Sequence, residues 1–309
     1  GAGLITGGYP QGAALSTAQP PPARRQHGAP QPRAMDSLDA SLLSLAATQH
    51  SMITTSQAAS FGLGPAALVH LVRSGALEHP ARGLYAVASM RAATAEIRHR
   101  QLSAGALMLY PDGALSGVSA VLAHGLPVWG VDLRTPYVRR PVDRHRGAIG
   151  IHILGGLDEV ETGEAHRCEP LDLALVELAI TWGVVPGVVS ADAALQRGLV
   201  TRDALAERLR RVAQWPRSSR ARAMVALSDG RSESVGESRC RIMLQANGIP
   251  LIPQVTMMDR RTGKVIRADF VVEGTKVIIE FDGRMKYADG DATTLWDEKR
   301  REDWLRAQG

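Results

Sequence analysis

Hydrophobic positions recur at helical spacing from residue 36 onward and predict a first helix. Two further short helices are predicted over residues 55–60 and 65–73, because a threonine pair can cap the former and a Gly-Pro pair opens the latter. Residues 75–87 then read as two short strands around a glycine, which is typical of a hairpin. Three helices followed by a hairpin predict a winged helix-turn-helix domain over residues 35–90.

The middle region, residues 91–230, mixes helical and strand-like patterns. Helices are predicted over residues 96–108, 115–125, 170–181, 190–197 and 201–212. Two strand-like runs, residues 133–139 and 149–154, bracket the densest basic cluster of the chain, residues 139–146. These arginines are expected at the surface, either as an ordinary exposed loop or as phosphate contacts. No catalytic constellation is visible among the helices of this region.

The last region, residues 231–309, follows the order helix, three strands, helix. A serine opens its first helix and an Asn-Gly pair ends it, and the final helix is predicted over residues 294–308. Together the three regions predict an α+β multidomain protein. Its parts are an N-terminal winged helix-turn-helix, a mixed α/β middle region and a C-terminal α/β domain.

Acidic residues cluster on the hairpin of this last region. With Glu273 and Gly274 as the two central turn residues, Asp269 lies diagonally across from Glu280, and Asp282 shares their face. Carboxylates this close repel one another unless a cation joins them, and their oxygens are the ligands that Mg²⁺ takes. The hairpin therefore predicts a Mg²⁺ or Mn²⁺ site. The alternative is a solvated sheet face whose acids pair with neighbouring basic side chains.

Composition narrows the class of protein. A net charge of +5 and a pI near 9.5 permit a polyanionic partner such as DNA. Residues 1–34, rich in Gly, Ala, Gln and Pro without any period, are predicted to be a disordered leader. No apolar run approaches the roughly 18 residues of a membrane span. Cys168 and Cys240 lie far apart, as expected for reduced thiols in the cytoplasm, and no pattern indicates an oligomeric state.

Residues 35–87 resemble the amino-terminal winged-helix domain of AbiEi-type antitoxins. The matching features are the Ile-Thr-Thr-Ser-Gln-Ala run at 53–58, the helix between Gly64 and Gly75, and the wing segment 82–85. The resemblance implies DNA binding, control of the protein's own gene and a cognate toxin as a partner.

The winged-helix fold suggests which residues would contact DNA. It places the third helix in the major groove, so His70 and Arg73 are predicted to contact DNA there, and Arg82 in the wing is predicted to contact phosphate. The third helix is nearly uncharged, which leaves open the alternative of a module used for packing or protein contact.

Residues 232–309 look like the Vsr-like nuclease domains of the PD-(D/E)XK superfamily, the restriction-endonuclease-like fold, that follow AbiEi-like regions in many actinobacterial proteins. The matched positions are Ser234, Glu237, Arg241, Leu244, Gly248, Pro250, Gln254, Arg267, Asp269, Glu280, Asp282, Gly283, Arg300, Leu305 and Gly309. The resemblance implies that Asp269 and Glu280 bind a metal ion, that Glu237 reaches the site from the first helix, and that the reaction is phosphodiester hydrolysis by an activated water.

The chain departs from that superfamily pattern in two ways. The lysine expected two residues after the glutamate is Asp282 here, and Lys286 is the preferred substitute because it follows the strand end. The chain stops at Gly309, where the family pattern continues into another strand, so the domain is expected to be truncated at its end. Glu237 also has an alternative role, since Ser234 and Glu237 have the spacing of a helix capping box.

Two functional hypotheses follow from these patterns. The first is a DNA-interacting protein with a Mg²⁺-dependent endonuclease-like domain. The alternative is a non-catalytic AbiEi-type antitoxin or transcriptional regulator that binds DNA through the winged helix, a hypothesis that the missing lysine motivates.

Overall fold

The structure is a computed structural model that describes residues 38–142, 146–163, 166–258, 263 and 265–281. The predicted disordered leader and the predicted last helix lie outside these residues. In the part of the chain that is described, no helix has both the length and the apolar character needed to cross a membrane.

A three-helix unit with a small antiparallel sheet forms the N-terminal part. Its elements are α1 (Ala40–Thr48), β1 (Met52–Thr54), α2 (Thr55–Ser60), α3 (Pro65–Arg73), β2 (Leu77–Ala81) and β3 (Leu84–Val87). The strand order is β1-β3-β2, with antiparallel pairing throughout. The helices pack on the sheet through a buried cluster that includes Leu42, Ile53 and Leu68. This arrangement is the predicted winged helix, with β1 as an element that the sequence pattern did not reveal.

Local signals set the helix boundaries of this unit. Thr54 caps α2, since its Oγ1 accepts from Gln57 N at 3.2 Å while the Gln57 side chain accepts from Thr54 N at 2.9 Å. This reciprocal capping box satisfies two backbone N–H groups that a helix start leaves open. Gly64 precedes Pro65 at the first position of α3, where the missing N–H of proline costs nothing. Both helices therefore begin where the sequence predicts.

The middle region surrounds a six-stranded sheet with helices. Its elements are α4 (Ala95–Leu109), β4 (Ala114–Leu115), α5 (Gly117–Ala123), β5 (Tyr137–Arg139), β6 (Arg146–Ala148), β7 (Ile151–Leu154), β8 (Glu161–Thr162), β9 (Arg167–Cys168), α6 (Leu171–Trp182), α7 (Val184–Gln196), α8 (Arg202–Arg211) and α9 (Ser218–Leu227). The strand order is β6-β7-β5-β4-β9-β8, in which β5–β7 and β4–β9 are parallel and the other pairs antiparallel.

Several predictions for this region need correction. The helix predicted over 190–197 is longer and begins at Val184. Pro186 does not prevent this, because it stands in the first turn, where proline is compatible with a helix. Helix α9 and strands β4, β6, β8 and β9 were not predicted. Three of these strands have only two residues, too few for a period to show.

The winged helix and the middle region share one core. Leu84 and Met52 of the small sheet belong to the same buried cluster as α4, α5 and α6. The approach is close at Gly105 of α4, where an added Cβ would lie 2.7 Å from Leu84 Cδ2. At Gly150, in the turn between β6 and β7, an added Cβ would lie 1.9 Å from Pro80 O in strand β2. Glycine therefore lets two backbone segments meet at the wing.

A buried charge network lies at the centre of the six-stranded sheet. Arg139 is 6% exposed; its Nε donates to Glu169 Oε2 at 2.9 Å and its Nη2 donates to Glu177 Oε1. Ser116 Oγ lies 2.8 Å from Glu169 and 2.9 Å from Glu177, and Gly117 N donates to Glu169 Oε1 at 2.7 Å. The prediction of a wholly exposed basic cluster is therefore wrong for Arg139. The reason is that two carboxylates distant in sequence compensate its charge.

The C-terminal region is held to the middle by a second buried ion pair. Its described elements are α10 (Val235–Ala246), β10 (Leu251–Met258), β11 (Val265–Val272) and β12 (Ile278–Ile279), and the strands form an antiparallel sheet in that order. Arg241 of α10 donates to Asp192 of α7 at 2.6 Å, with both side chains almost fully buried. Ser238 Oγ donates to the same carboxylate at 2.7 Å. Helix α10 thus packs as part of the middle region.

Removing the central guanidinium should destabilise the whole fold. We expect Arg139→Met to lower the free energy of unfolding by about 3–5 kcal/mol, because two buried carboxylates lose their cation. The matched control is Arg140→Met, whose partner Asp112 is largely exposed, and it should cost less than about 1 kcal/mol. Urea denaturation of both variants measures the difference. Equal losses would contradict the structural role of Arg139.

The network should also make stability depend on pH in a defined direction. Burial, and then the neighbouring Glu177, raise the pKa of Glu169 above the ordinary 4.5, so the folded state favours its protonated form. The stability that the folded state gains from this raised pKa is fully present below the pKa of Glu169 in the unfolded chain. It is lost as pH rises through the pKa of Glu169 in the folded protein. Glu169→Gln stays neutral, so wild type should lose stability relative to this variant between pH 5 and pH 9. A difference that is constant with pH in urea titrations would contradict the assignment.

Candidate nucleic-acid interface and acidic hairpin

Helix α3 presents one side to its own core and the other to solvent. Leu68 and Leu71 are 2% exposed, whereas Val69 is 50% exposed and His70 and Arg73 are also exposed. The spacing of these five residues follows the 3.6-residue period of the helix. Sequence reasoning singled out His70 and Arg73 but missed Val69, because an apolar residue beside core positions gives no sign of exposure.

The winged helix has few charged residues, and its arginines are exposed to solvent. Residues 38–90 contain two arginines, Arg73 on α3 and Arg82 in the wing turn, and both are exposed. Of the two carboxylates in this range, Glu78 is already paired, with Arg91 at 3.2 Å and with Arg98. A phosphate backbone approaching this side would therefore meet Arg73 and Arg82 without an opposing charge from Glu78.

Backbone contacts fix the wing. Thr55 N, at the start of α2, donates to Gly83 O in the wing turn at 3.0 Å. Next to this turn, the His79 ring of β2 stacks on the Tyr85 ring of β3, with ring centroids 4.6 Å apart. With the Gly150 turn packed against β2, the wing is supported from several sides, so Arg82 is carried on an ordered turn.

The hairpin between β11 and β12 differs from its predicted register. Val271 pairs with Ile278, and Val272 N donates to Val277 O at 2.9 Å, so four residues form the turn instead of two. The Thr275 backbone and hydroxyl both donate to Val272 O, which stabilises the longer turn. A shift of two residues keeps every side chain on its predicted face. The pairing ends at Phe270 and Ile279, and the same register continued by one residue would set Glu280 opposite Asp269, where the sequence predicts a diagonal arrangement.

Asp269 is fixed at the end of the sheet. Its Oδ2 accepts from Phe281 N at 2.8 Å, which closes the strand pair beyond β12. Burial, with a contribution from the Asp269 charge, raises the pKa of the Cys240 thiol on α10, so helix and hairpin lie close together here. An added Cβ at Gly236 would lie 1.9 Å from the Phe281 ring, so a glycine is needed where the start of α10 meets the hairpin.

Glu237 is held by the start of its own helix. Ser234 Oγ accepts from Glu237 N at 3.1 Å and donates to Glu237 Oε1 at 2.9 Å. Oε2 accepts from Glu233 N and from Gln254 Nε2, both at 2.9 Å. The Ser234 cap is thus confirmed, but the predicted capping box is not complete, because the carboxylate bonds the amide of Glu233 and not that of Ser234. Its role as a metal ligand stays a prediction.

Gln254 is a further residue that sequence reasoning did not connect with the acids. It stands opposite Asp269 in the β10–β11 pairing and has a φ of 56°, which is unusual for a residue other than glycine. Its Nε2 bonds Glu237, and its Oε1 is buried without a hydrogen bond to any described residue. Gln254 therefore joins the helix carboxylate to the hairpin.

The acids do not assemble into a complete metal site among the described residues. No group of three His, Cys, Asp or Glu side chains is placed there to hold a metal ion. Arg267, one of the basic residues expected to neutralise the acids, pairs with Glu233 at 2.6 Å. Asp282 and Lys286 lie outside the described residues. Asp269 and Glu280 are thus two acidic residues, of the kind that Mg²⁺ takes, at the end of the β11–β12 pair, while Glu237 is bonded within the start of its own helix.

Comparison with known families bears on the N-terminal part. Residues 41–88 match the family model of the AbiEi antitoxin, a transcriptional regulator. This range covers nearly all of the winged helix and includes His70, Arg73 and Arg82. No curated protein matches the chain. The AbiEi resemblance is therefore confirmed over this domain, and the Vsr-like resemblance of the C-terminal region stays a prediction.

Proposed function

We propose that the protein is a DNA-binding transcriptional regulator of the AbiEi antitoxin type. The observation that carries the proposal is the solvent-facing side of α3, with Val69, His70 and Arg73 exposed on a helix whose other side is locked into the winged-helix core. The match of residues 41–88 to the AbiEi antitoxin family supports the same function. As the family description implies, the partner is a cognate toxin.

The chemistry of the surface assigns each residue a role. In the major groove Arg73 can donate two hydrogen bonds to guanine, and the apolar Val69 can contact a thymine methyl group. Arg82 in the wing meets a phosphate, which positions the domain without reading sequence. His70 lies next to Val69 on the exposed side and can donate to or accept from a base edge or phosphate.

Substitutions of the two arginines should have distinguishable effects on binding to the DNA upstream of the protein's own gene. Arg73→Ala should cost about 1–3 kcal/mol and reduce discrimination against a scrambled duplex. Arg82→Ala should weaken binding to both duplexes equally and reduce the slope of log K against log salt by about 0.9. Fluorescence anisotropy over a salt series measures both quantities.

The matched control is Arg222→Ala, which removes an exposed arginine from α9 outside the winged helix. It should leave affinity and salt slope nearly unchanged. Equal affinity of the wild-type protein for its upstream DNA and for the scrambled duplex would remove the proposed function, as would an Arg222→Ala loss equal to that of Arg73→Ala.

We propose, as a second function, a Mg²⁺- or Mn²⁺-dependent phosphodiesterase site on the hairpin. Its support is the register of the strand pair, which if continued one residue past Ile279 sets Glu280 opposite Asp269, and the hydrogen bond that holds Asp269 at this end of the sheet. Asp269 and Glu280 would hold the ion, which when bound supplies Lewis acidity and lowers the pKa of a water. Glu237, which accepts from Gln254 Nε2, becomes a third ligand when its cap opens.

The metal proposal is tested by titrating Mg²⁺ and Mn²⁺ into the full chain by calorimetry. Asp269→Asn should abolish saturable binding, because the carboxylate charge is lost while Oδ1 can still accept from Phe281 N. Glu273→Gln, in the exposed hairpin turn, removes an equal charge and should bind metal as wild type does. Absence of binding at millimolar metal, or equal binding by Asp269→Asn, would eliminate the site; circular dichroism controls for folding.

A further inference from the structure

A cavity of about 580 Å³ opens in the middle region, away from the residues of the winged helix and the hairpin. It lies between β5, the end of β7, the second half of α6 and the turn before α9. Its apolar walls come from Tyr137, Leu154, Leu178, Trp182, Trp215 and Pro216. The volume falls within the roughly 300–1,000 Å³ of small-molecule sites, which combine apolar walls with a few convergent polar groups.

The floor of the cavity is formed by part of the buried charge network. Arg139 and Glu177 both line it. Arg139 Nη1 donates to Gly155 O at 2.7 Å and Nη2 donates to Glu177 Oε1, and each of these nitrogens carries a second N–H group. Each Glu177 oxygen likewise accepts one bond here and has a further lone pair. A hydrogen-bond donor and an acceptor therefore stand side by side at the end of an aromatic-walled space.

The floor carries little net charge. The single hydroxyl hydrogen of Ser116 can serve only one of the two carboxylates within 2.9 Å of it, so the other contact fits a Glu169 carboxyl group that carries a proton. Burial also raises the pKa of Glu169, which agrees with this geometry. One guanidinium then faces one negative charge. At the rim, the negative charge of Asp158 is likewise offset by the positive charge of Arg217. This balance disfavours a charged ligand.

We propose that this cavity binds a planar, uncharged nitrogen heterocycle of the nucleoside class. Its ring lies against the aromatic walls, and an edge with a donor beside an acceptor pairs with Glu177 and Arg139. Arg139 and Glu177, which join strands and helices inside the fold, thus also present polar groups to an apolar cavity, and this combination is typical of a small-molecule site. The inference does not depend on DNA binding, because the winged-helix residues take no part in it.

The test is calorimetric titration of adenosine and of cytidine into the full chain. Saturable binding of at least one nucleoside is expected. Trp215→Ala should weaken it about tenfold, the loss expected for one stacking contact, and Thr181→Trp should abolish it by filling the rim of the cavity. The control is Trp129→Ala, which removes a tryptophan that packs under Arg239 and does not line this cavity; its affinity should equal that of wild type.

Three outcomes would overturn the proposal. They are no binding of either nucleoside at 5 mM, equal affinity of wild type and Trp215→Ala, and equal losses in Trp215→Ala and Trp129→Ala. Adenosine 5′-monophosphate tests the charge argument, and it should bind no more tightly than adenosine. Tenfold tighter binding of the monophosphate would show that the site selects an anion.

Discussion

The guanidinium of Arg139 is the interaction on which the rest of the structure depends. It reaches Glu169 after β9, Glu177 in α6 and the backbone of Gly155 after β7, and Ser116 at the start of α5 closes the network. Backbone pairing alone would hold this sheet weakly, because β4 and β9 have two residues each and pair through one register position. Misplacing any partner would leave a buried charge uncompensated. The network therefore selects one arrangement of strands and helices.

A second buried pair extends that arrangement to the C-terminal region. Asp192 accepts from Arg241 and Ser238 of α10 and from the backbone of Asp229, so α10 is fixed on α7 before the last sheet begins. The start of α10 in turn holds Glu237, which bonds Gln254 opposite Asp269. The position of the acidic hairpin thus follows from contacts with the middle region. The boundary predicted near residue 231 does not separate two regions that fail to pack on each other.

The sequence predicted what local chemistry determines and missed what distant partners determine. The threonine pair 54–55, the Gly-Pro start of α3 and the serine cap of α10 gave three helix starts correctly, since each signal lies within four residues of its effect. The exposure of Arg139 was predicted wrongly because Glu169 and Glu177 lie 30 and 38 residues away. The hairpin register was missed because Thr275 stabilises a longer turn, and the shift of two residues leaves the paired side chains on their predicted faces as far as Phe270 and Ile279.

The same logic bears on how a nearly neutral winged helix would read DNA under the proposed function. Two arginines on its free surfaces would make few phosphate contacts, so the electrostatic share of the binding energy would be small and would fall only weakly with salt. A larger share must then come from direct contacts of α3, where an exposed valine stands beside Arg73 and His70. Such contacts depend on accurate placement. The packing of Gly105 against the Leu84 and Met52 side chains and of Gly150 against the Pro80 backbone provides it, because such close contact leaves the wing little freedom to move.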